Sequence, residues 1–189
     1  MVHCRLSNVI GFDDAPFEPG TRGPVKIVGA IYSGLRFDGV LMGEIEKDGV
    51  DGAEVIARLI AESKFRDHIQ LIMLQGITMA GFNVVDAALL NETAGVPVLV
   101  VSRRRPDMAA IRKALLTRVA GGAQKWDRIA KMGMMEPVQH IYIQRAGVSV
   151  EQAAAVIRRF AIHSHIPEPI RTAHLIAGAL SGGQSRGNP

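Results

Sequence analysis

Residues Val25–Glu46 read VKIVGAIYSGLRFDGVLMGEIE, two strand-like runs rich in β-branched residues around a short Ser33-Gly34-Leu35 joint. Such a joint points to an antiparallel hairpin. The run before it, NVIGF (Asn8–Phe12), supplies a further strand, so the chain opens with a three-stranded meander. After Glu46 the pattern changes. DGAEVIARLIAES places Val55, Ile56, Leu59 and Ile60 on one helical face, with Asp51 and Glu54 spaced as a capping box. IQLIMLQ (Ile69–Gln75) and VPVLVVS (Val96–Ser102) are almost wholly apolar, as strands covered on both faces are.

Between and after those strands the pattern is helical. NVVDAALLNETAG has Asn83 as its expected N-cap and Gly95 as its stop. PDMAAIRKALLTRV spaces Ile111, Leu115 and Val119 for burial. A Gly121-Gly122 joint and a polar segment lead to an edge strand over Val138–Arg145. Ser149 and Gln152 form a capping box for the next helix, and IPEP (Ile166–Pro169) enters the last. The order β-β-β-α-β-α-β-α-β-α-α predicts an α/β fold, a single mixed β-sheet flanked by helices and not a doubly wound parallel one. One domain over 1–182 is expected, with a mobile tail over 183–189.

Composition narrows the function classes. Of 189 residues 48% are hydrophobic and 21% charged, an ordinary globular balance. Apolar runs are too short for a membrane span, and the first ten residues have no signal-peptide core. The single cysteine, Cys4, excludes an internal disulfide and a thiolate-built zinc site, and points to the cytoplasm. The net charge of +4 suits a nucleic-acid or phosphorylated partner. One Trp, two Tyr and six Phe are too few for a broad base-stacking platform.

Ligands of α/β sheets collect at the carboxyl ends of strands. There this chain places Asp13 and Asp14, then Gln75, then Ser102 with Arg103, Arg104 and Arg105. Alternation along a strand sends Asp13 and Asp14 to opposite faces, so Asp13 is assigned to the site with Asp14 as the alternative. Asp-Asp-Ala-Pro also suits a plain turn. The arginines can grip phosphate by bidentate contacts, or form a solvated loop before Asp107 caps a helix. Asn83, at a β-to-α loop with two glycines, can help present backbone N–H groups to an anion, or serve only to cap. Of the six histidines, His163 and His165 are poorly spaced for metal. His174, three residues after Arg171, reads mainly as a packed, hydrogen-bonded residue. No HExxH or GxSxG is present.

IGFDDAPF, VGAIYSGLRFDGVL, LQGITMAGFNVVD, PVLVVSRRRPD and IPEPIRTAHLIAGAL together resemble the domain of unknown function 99 family, from about Asn8 to Arg186. More distantly the layout is similar to endonuclease V, which implies a ribonuclease H-like fold. Gly11-Phe12-Asp13 matches that family's first-strand aspartate. Its glutamate before the first long helix is represented by Glu46, Asp48 or Asp51. Its Asp-Gly after the buried strand is Gln75-Gly76 here, its His-Pro is Gly81-Phe82, and its lysine is matched by Arg103.

The resemblance implies a Mg²⁺- or Mn²⁺-dependent nuclease. Asp13, Asp51, Gln75 and Arg103 would be catalytic, Asp13, Asp14 and Asp48 metal-binding, and Arg103, Arg104, Arg105 and Asn83 phosphate-binding. A carboxamide at Gln75 is a weaker ligand for a hard cation than a carboxylate. A non-catalytic nucleic-acid or phosphate-binding module with a degenerate metal site is therefore the second reading. Recognition of a small ligand by Gln75 and Asn83 is the third.

Overall fold

A computed structural model describes residues 6–18, 20 and 22–185. Cys4 and the end of the expected tail, 186–189, lie outside the described residues. The elements are β1 (Asn8–Asp14), β2 (Pro24–Ser33), β3 (Arg36–Glu46), α1 (Gly52–Ala61), β4 (Leu71–Gln75), β5 (Thr78–Met79), β6 (Asn83–Val84), α2 (Ala87–Ala94), β7 (Val98–Ser102), α3 (Met108–Arg118), α4 (Gly122–Lys131), β8 (Glu136–Val138), β9 (Ile141–Ala146), α5 (Val150–Phe160) and α6 (Glu168–Gly182).

The opening meander forms as its sequence dictates: β1 pairs antiparallel with β2, and β2 with β3, through a turn in which Gly34 takes φ +61°. The apolar runs β4 and β7 then stack parallel beside β1, and the sheet runs β3-β2-β1-β4-β7-β9-β8. The expected mixed sheet is thus the observed one. β5 and β6 form a separate two-stranded hairpin inside the loop after β4.

Alternation divides the core into two layers. Ile10, Phe12, Ile72, Leu74, Val98 and Val100 face α1 and α2. Val9, Leu71, Met73, Leu99 and Val101 face α5 and α6. β1 and β4 are buried on both sides, which explains their unbroken apolar character. On the α6 side Gly11 is indispensable to the packing, because a Cβ there would overlap the Pro169–Ile170 backbone. Ala173 and Ala177, both fully buried, carry the same close approach along the helix. No helix of the described residues is long and apolar enough to cross a membrane.

Four local expectations need correction. The polar segment after Gly121 contains α4, entered through Gly121 in the left-handed region, with Lys125 and Ile129 buried. Val138–Arg145 is not one edge strand. A turn at Gln139 (φ +55°) splits it, so that β8 is the edge and β9 lies between β8 and β7. Asp51 stands at the N-cap position of α1 but makes no side-chain cap bond. Asp86, not Asn83, caps α2 by accepting from the Ala88 and Leu89 amides. Gly95 and Asp107 end and begin their helices as expected, and Ser149 with Gln152 closes a full capping box. At the far end the Ser185 hydroxyl donates to the Leu175 carbonyl at 2.6 Å.

Candidate functional site

In the parallel pairing of β1 with β4, Phe12 stands opposite Leu74. The next residues, Asp13 and Gln75, therefore emerge side by side at the carboxyl ends of two central strands. Asp13 shares the parity of Val9 and Gly11, and Gln75 that of Leu71 and Met73, so both point to the α6 face. Asp13 is only 5% exposed. Its Oδ1 accepts the Asp14 amide at 2.9 Å, and its Oδ2 lies 2.7 Å from Nδ1 of His174. Close seating of α6 on Gly11 brings that imidazole to the strand end. Gln75 Oε1 is buried and accepts no hydrogen bond. A buried oxygen without a donor is costly to retain in a fold. It belongs to the residue that adjoins Asp13 at the carboxyl ends of β1 and β4.

The other sequence-nominated acids lie across the sheet, around the β5–β6 hairpin. Asp14 Oδ2 accepts the Ala80 amide at 3.0 Å. Burial, then the neighbouring Asp13 charge, pushes the Asp14 carboxyl up to about 6. Ala80 itself has φ +46°, and its carbonyl accepts the Asp48 amide at 2.9 Å. Asp48 has φ +53°, and its Oδ1 accepts the Phe82 amide at 2.7 Å. The buried Lys125 donates its ammonium to the Asp48 carbonyl. Asp51 accepts the Glu46 amide at 3.2 Å and the Asn83 side-chain amide at 2.7 Å. Asn83 also donates to the Glu46 carbonyl at 2.9 Å and accepts from the Gly52 amide at 3.2 Å. Asp48, Asp51 and Asn83 thus stitch the end of β3 and the start of α1 to the hairpin.

Arg103, Arg104 and Arg105 follow β7 at the same rim as Asp13 and Gln75, and all three are exposed. Ser102 Oγ donates to the Arg104 carbonyl at 2.7 Å and shapes that loop. The structure therefore groups Asp13 with Gln75 and adds His174, which the sequence reading treated as a packing residue. Its signal was present in Ala173, Ala177 and Gly178, the small residues that let this helix approach the sheet.

Among the described residues no three His, Cys, Asp or Glu side chains are grouped as a metal cage. The arrangement does not fit a two-cation clamp, which rests on several carboxylates. It does fit one hard cation. Mg²⁺ is commonly held by one or two carboxylates together with substrate phosphates, keeping several waters. Asp13 offers a carboxylate, and Gln75 Oε1 offers an oxygen that nothing else engages.

A sequence model of the family described as endonuclease dU matches residues 5–181. A UPF0215 protein of Deinococcus radiodurans is 48% identical over 183 residues, covering 97% of this chain and 93% of its own. A UPF0215 protein of Methanothermobacter thermautotrophicus is 40% identical, covering 95% and 90%. Among solved structures, a protein of unknown function from Archaeoglobus fulgidus superposes with a TM-score of 0.85 at 32% identity, over 92% of this chain and 97% of that one. Endonuclease V of Ciona intestinalis, in complex with a DNA containing inosine followed by a ribo-adenosine, superposes with a TM-score of 0.59 at 15% identity, over 88% and 82%. At that identity the likeness concerns the fold, which is the ribonuclease H-like one.

Proposed function

Since the chain belongs to the endonuclease dU family, we propose that it is a divalent-cation-assisted endonuclease that cleaves nucleic-acid phosphodiesters, with deoxyuridine in the strand as the class of base it acts beside. The observation that carries this reading is the Asp13–His174 pair at the end of β1, with Gln75, whose side-chain oxygen accepts no hydrogen bond, at the end of the adjoining strand β4. Asp13 and Gln75 would hold Mg²⁺ or Mn²⁺, which when bound supplies Lewis-acid polarisation of a phosphoryl oxygen.

The remaining work falls to the protein. The Asp13 carboxylate accepts the Nδ1 proton of His174, which fixes the tautomer whose basic nitrogen is Nε2. From there the imidazole takes a proton from the attacking water or returns one to the leaving oxygen. Arg103 neutralises charge on the reacting phosphate, and Arg104 and Arg105 hold its neighbours. Asp14, Asp48, Asp51 and Asn83 act indirectly, by holding the hairpin and the start of α1 in place. The single cysteine supports a cytoplasmic place of action.

The test is cleavage of oligonucleotides with and without deoxyuridine, in Mg²⁺ or Mn²⁺, by the wild type and by Asp13→Asn. Cleavage at or next to deoxyuridine that Asp13→Asn abolishes is the expected result. No cleavage of either strand by well-folded protein, in either cation, defeats the proposal. The exposed run Arg103–Arg105 at the rim, with a carboxamide at Gln75 in place of a carboxylate, favours a second reading, a binding module without chemistry. Strand binding that ignores EDTA, falls steeply with salt and is never followed by cleavage selects it.

A further inference from the structure

A second basic feature lies on the same face of the sheet as Asp13, away from the site just described. The β8–β9 turn, the last turn of α5 and the segment leading to α6 enclose an open cavity of about 260 Å³, lined by Gln139, His140, Arg158, Ala161, Ser164 and His165. The His140 and His165 rings stand 4.4 Å apart, tilted by 41°. Arg158 is exposed, and among the described residues no acidic side chain pairs with it. The lining thus holds one fixed cation, two ionisable imidazoles, a carboxamide and no carboxylate. Its volume falls below the roughly 300–1,000 Å³ of pockets that take drug-sized ligands, and suits a single compact anion.

Its place in the sheet suggests which anion. Tyr142 at the start of β9 pairs with Ser102 at the end of β7, so the Gln139–His140 turn sits at the same rim as Arg103–Arg105. α5 and α6 cover the face to which Asp13 points. From β1 to β9 there are three strand spacings, about 14 Å in all at about 4.8 Å each. The arginine loop after β7 lies between the two. A strand held at Asp13 and carried past those arginines therefore reaches the cavity within a few nucleotides.

We propose that this cavity binds a phosphate group of the strand, a few nucleotides from the bond to be cut. Arg158 supplies the charge, and the His140 and His165 imidazoles supply flanking donors. The inference rests on the nuclease reading for its ligand, but the cavity can be tested apart from it.

The full-length protein is compared with Arg158→Gln and with the His140→Ala/His165→Ala double variant. Binding of a fluorescent single-stranded oligonucleotide is measured in EDTA over a range of salt. The ring-proton NMR signals of His140 and His165 are followed while the same strand, or inorganic phosphate, is added. Expected are about tenfold weaker strand binding for each variant, a salt slope shallower by about 1 for Arg158→Gln, and strand-induced movement of both imidazole signals. If inorganic phosphate moves those signals while no strand binds in EDTA and none is cleaved in Mg²⁺ or Mn²⁺, the cavity stands as a phosphate site with a free phosphate as its source, and the nuclease reading fails. If wild type and variants bind and cleave the strand alike and neither signal moves, the cavity proposal is overturned while the nuclease reading survives.

Discussion

Two acidic groups flank the carboxyl end of β1, and they are built from the same residue types to opposite ends. On the hairpin side, Asp14, Asp48, Asp51 and Asn83 each accept a backbone amide, and Asp51 and Asn83 bond to one another. On the α6 side, Asp13 is held by one amide and one imidazole, and the Gln75 oxygen beside it accepts nothing. Carboxylates that satisfy main-chain N–H groups serve the fold. A buried acceptor without a donor does nothing for the fold, and its place beside Asp13 calls for another reason. The placement of acids in the chain does not separate these roles; only their partners do.

The sharpest way to break this contrast is to alter each side and compare chemistry with stability. His174→Ala, which removes the acid–base group, and Asp13→Asn, which removes the carboxylate that orients it, should each lower the cleavage rate by about a thousandfold, while Asp13→Asn, which keeps the shape of the buried side chain, shifts the melting temperature little. Asp51→Ala should do the reverse. It removes the acceptor of the Glu46 amide and one of the two acceptors of the Asn83 side-chain amide, and should cost about 1–2 kcal/mol in urea titration. Its folded fraction should still turn over within a few-fold of wild type. An Asp51→Ala protein that melts normally and has lost all cleavage would place Asp51 with Asp13 in the chemistry and remove the contrast between the two sides.

Asp14 offers a pH-dependent refinement. Its folded carboxyl titrates at about 6 against an ordinary 3.8. A raised acid favours the folded state while protonated, so that contribution is present below about 3.8 and is lost as pH rises through about 6. Asp14→Asn should therefore gain on the order of 2 kcal/mol over wild type at pH 7.5, with the gain shrinking as pH falls below 6. Urea melts at pH 7.5 and 4.5 check the sign. A gain that is the same at both values would mean the carboxyl is not strained by burial and by Asp13. The smallest effect is expected at the arginine loop. Replacing Arg103, Arg104 and Arg105 together by alanine should leave stability within about 0.5 kcal/mol and weaken strand binding about tenfold at moderate salt, read by anisotropy.

What could be read from the chain follows from the range of the forces involved. The meander and the β4 and β7 strands were legible because local alternation and unbroken apolar runs record burial directly. The place of Asp13 at a strand end was legible because it follows such a run. α4 was hidden because two glycines and a charged run read as a joint, although Lys125 and Ile129 mark its buried side. The β8–β9 turn was hidden because Gln139 takes a left-handed conformation that glycine or asparagine would normally announce. The partner of Asp13 was least legible of all, since His174 stands 161 residues away and no local pattern records a bond across the chain. Asp48, Asp51 and Asn83 were ambiguous for another reason: short polar side chains near strand and helix ends look alike whether they bind an ion or a backbone amide.

Gly11 gives the Asp13–His174 pair a tolerance that ordinary core packing would not. Where two elements are spaced by interlocking side chains, each substitution in the layer resets the gap by some fraction of an ångström. Here main chain rests on main chain, at Gly11 and the Pro169–Ile170 peptide, with no side chain between to swell or shrink. Drift in the surrounding aliphatic residues can then alter how firmly α6 is held without altering how far it stands from β1. The distance on which the imidazole and the carboxylate depend is gauged by the peptide backbone, the one component of a protein that mutation does not resize.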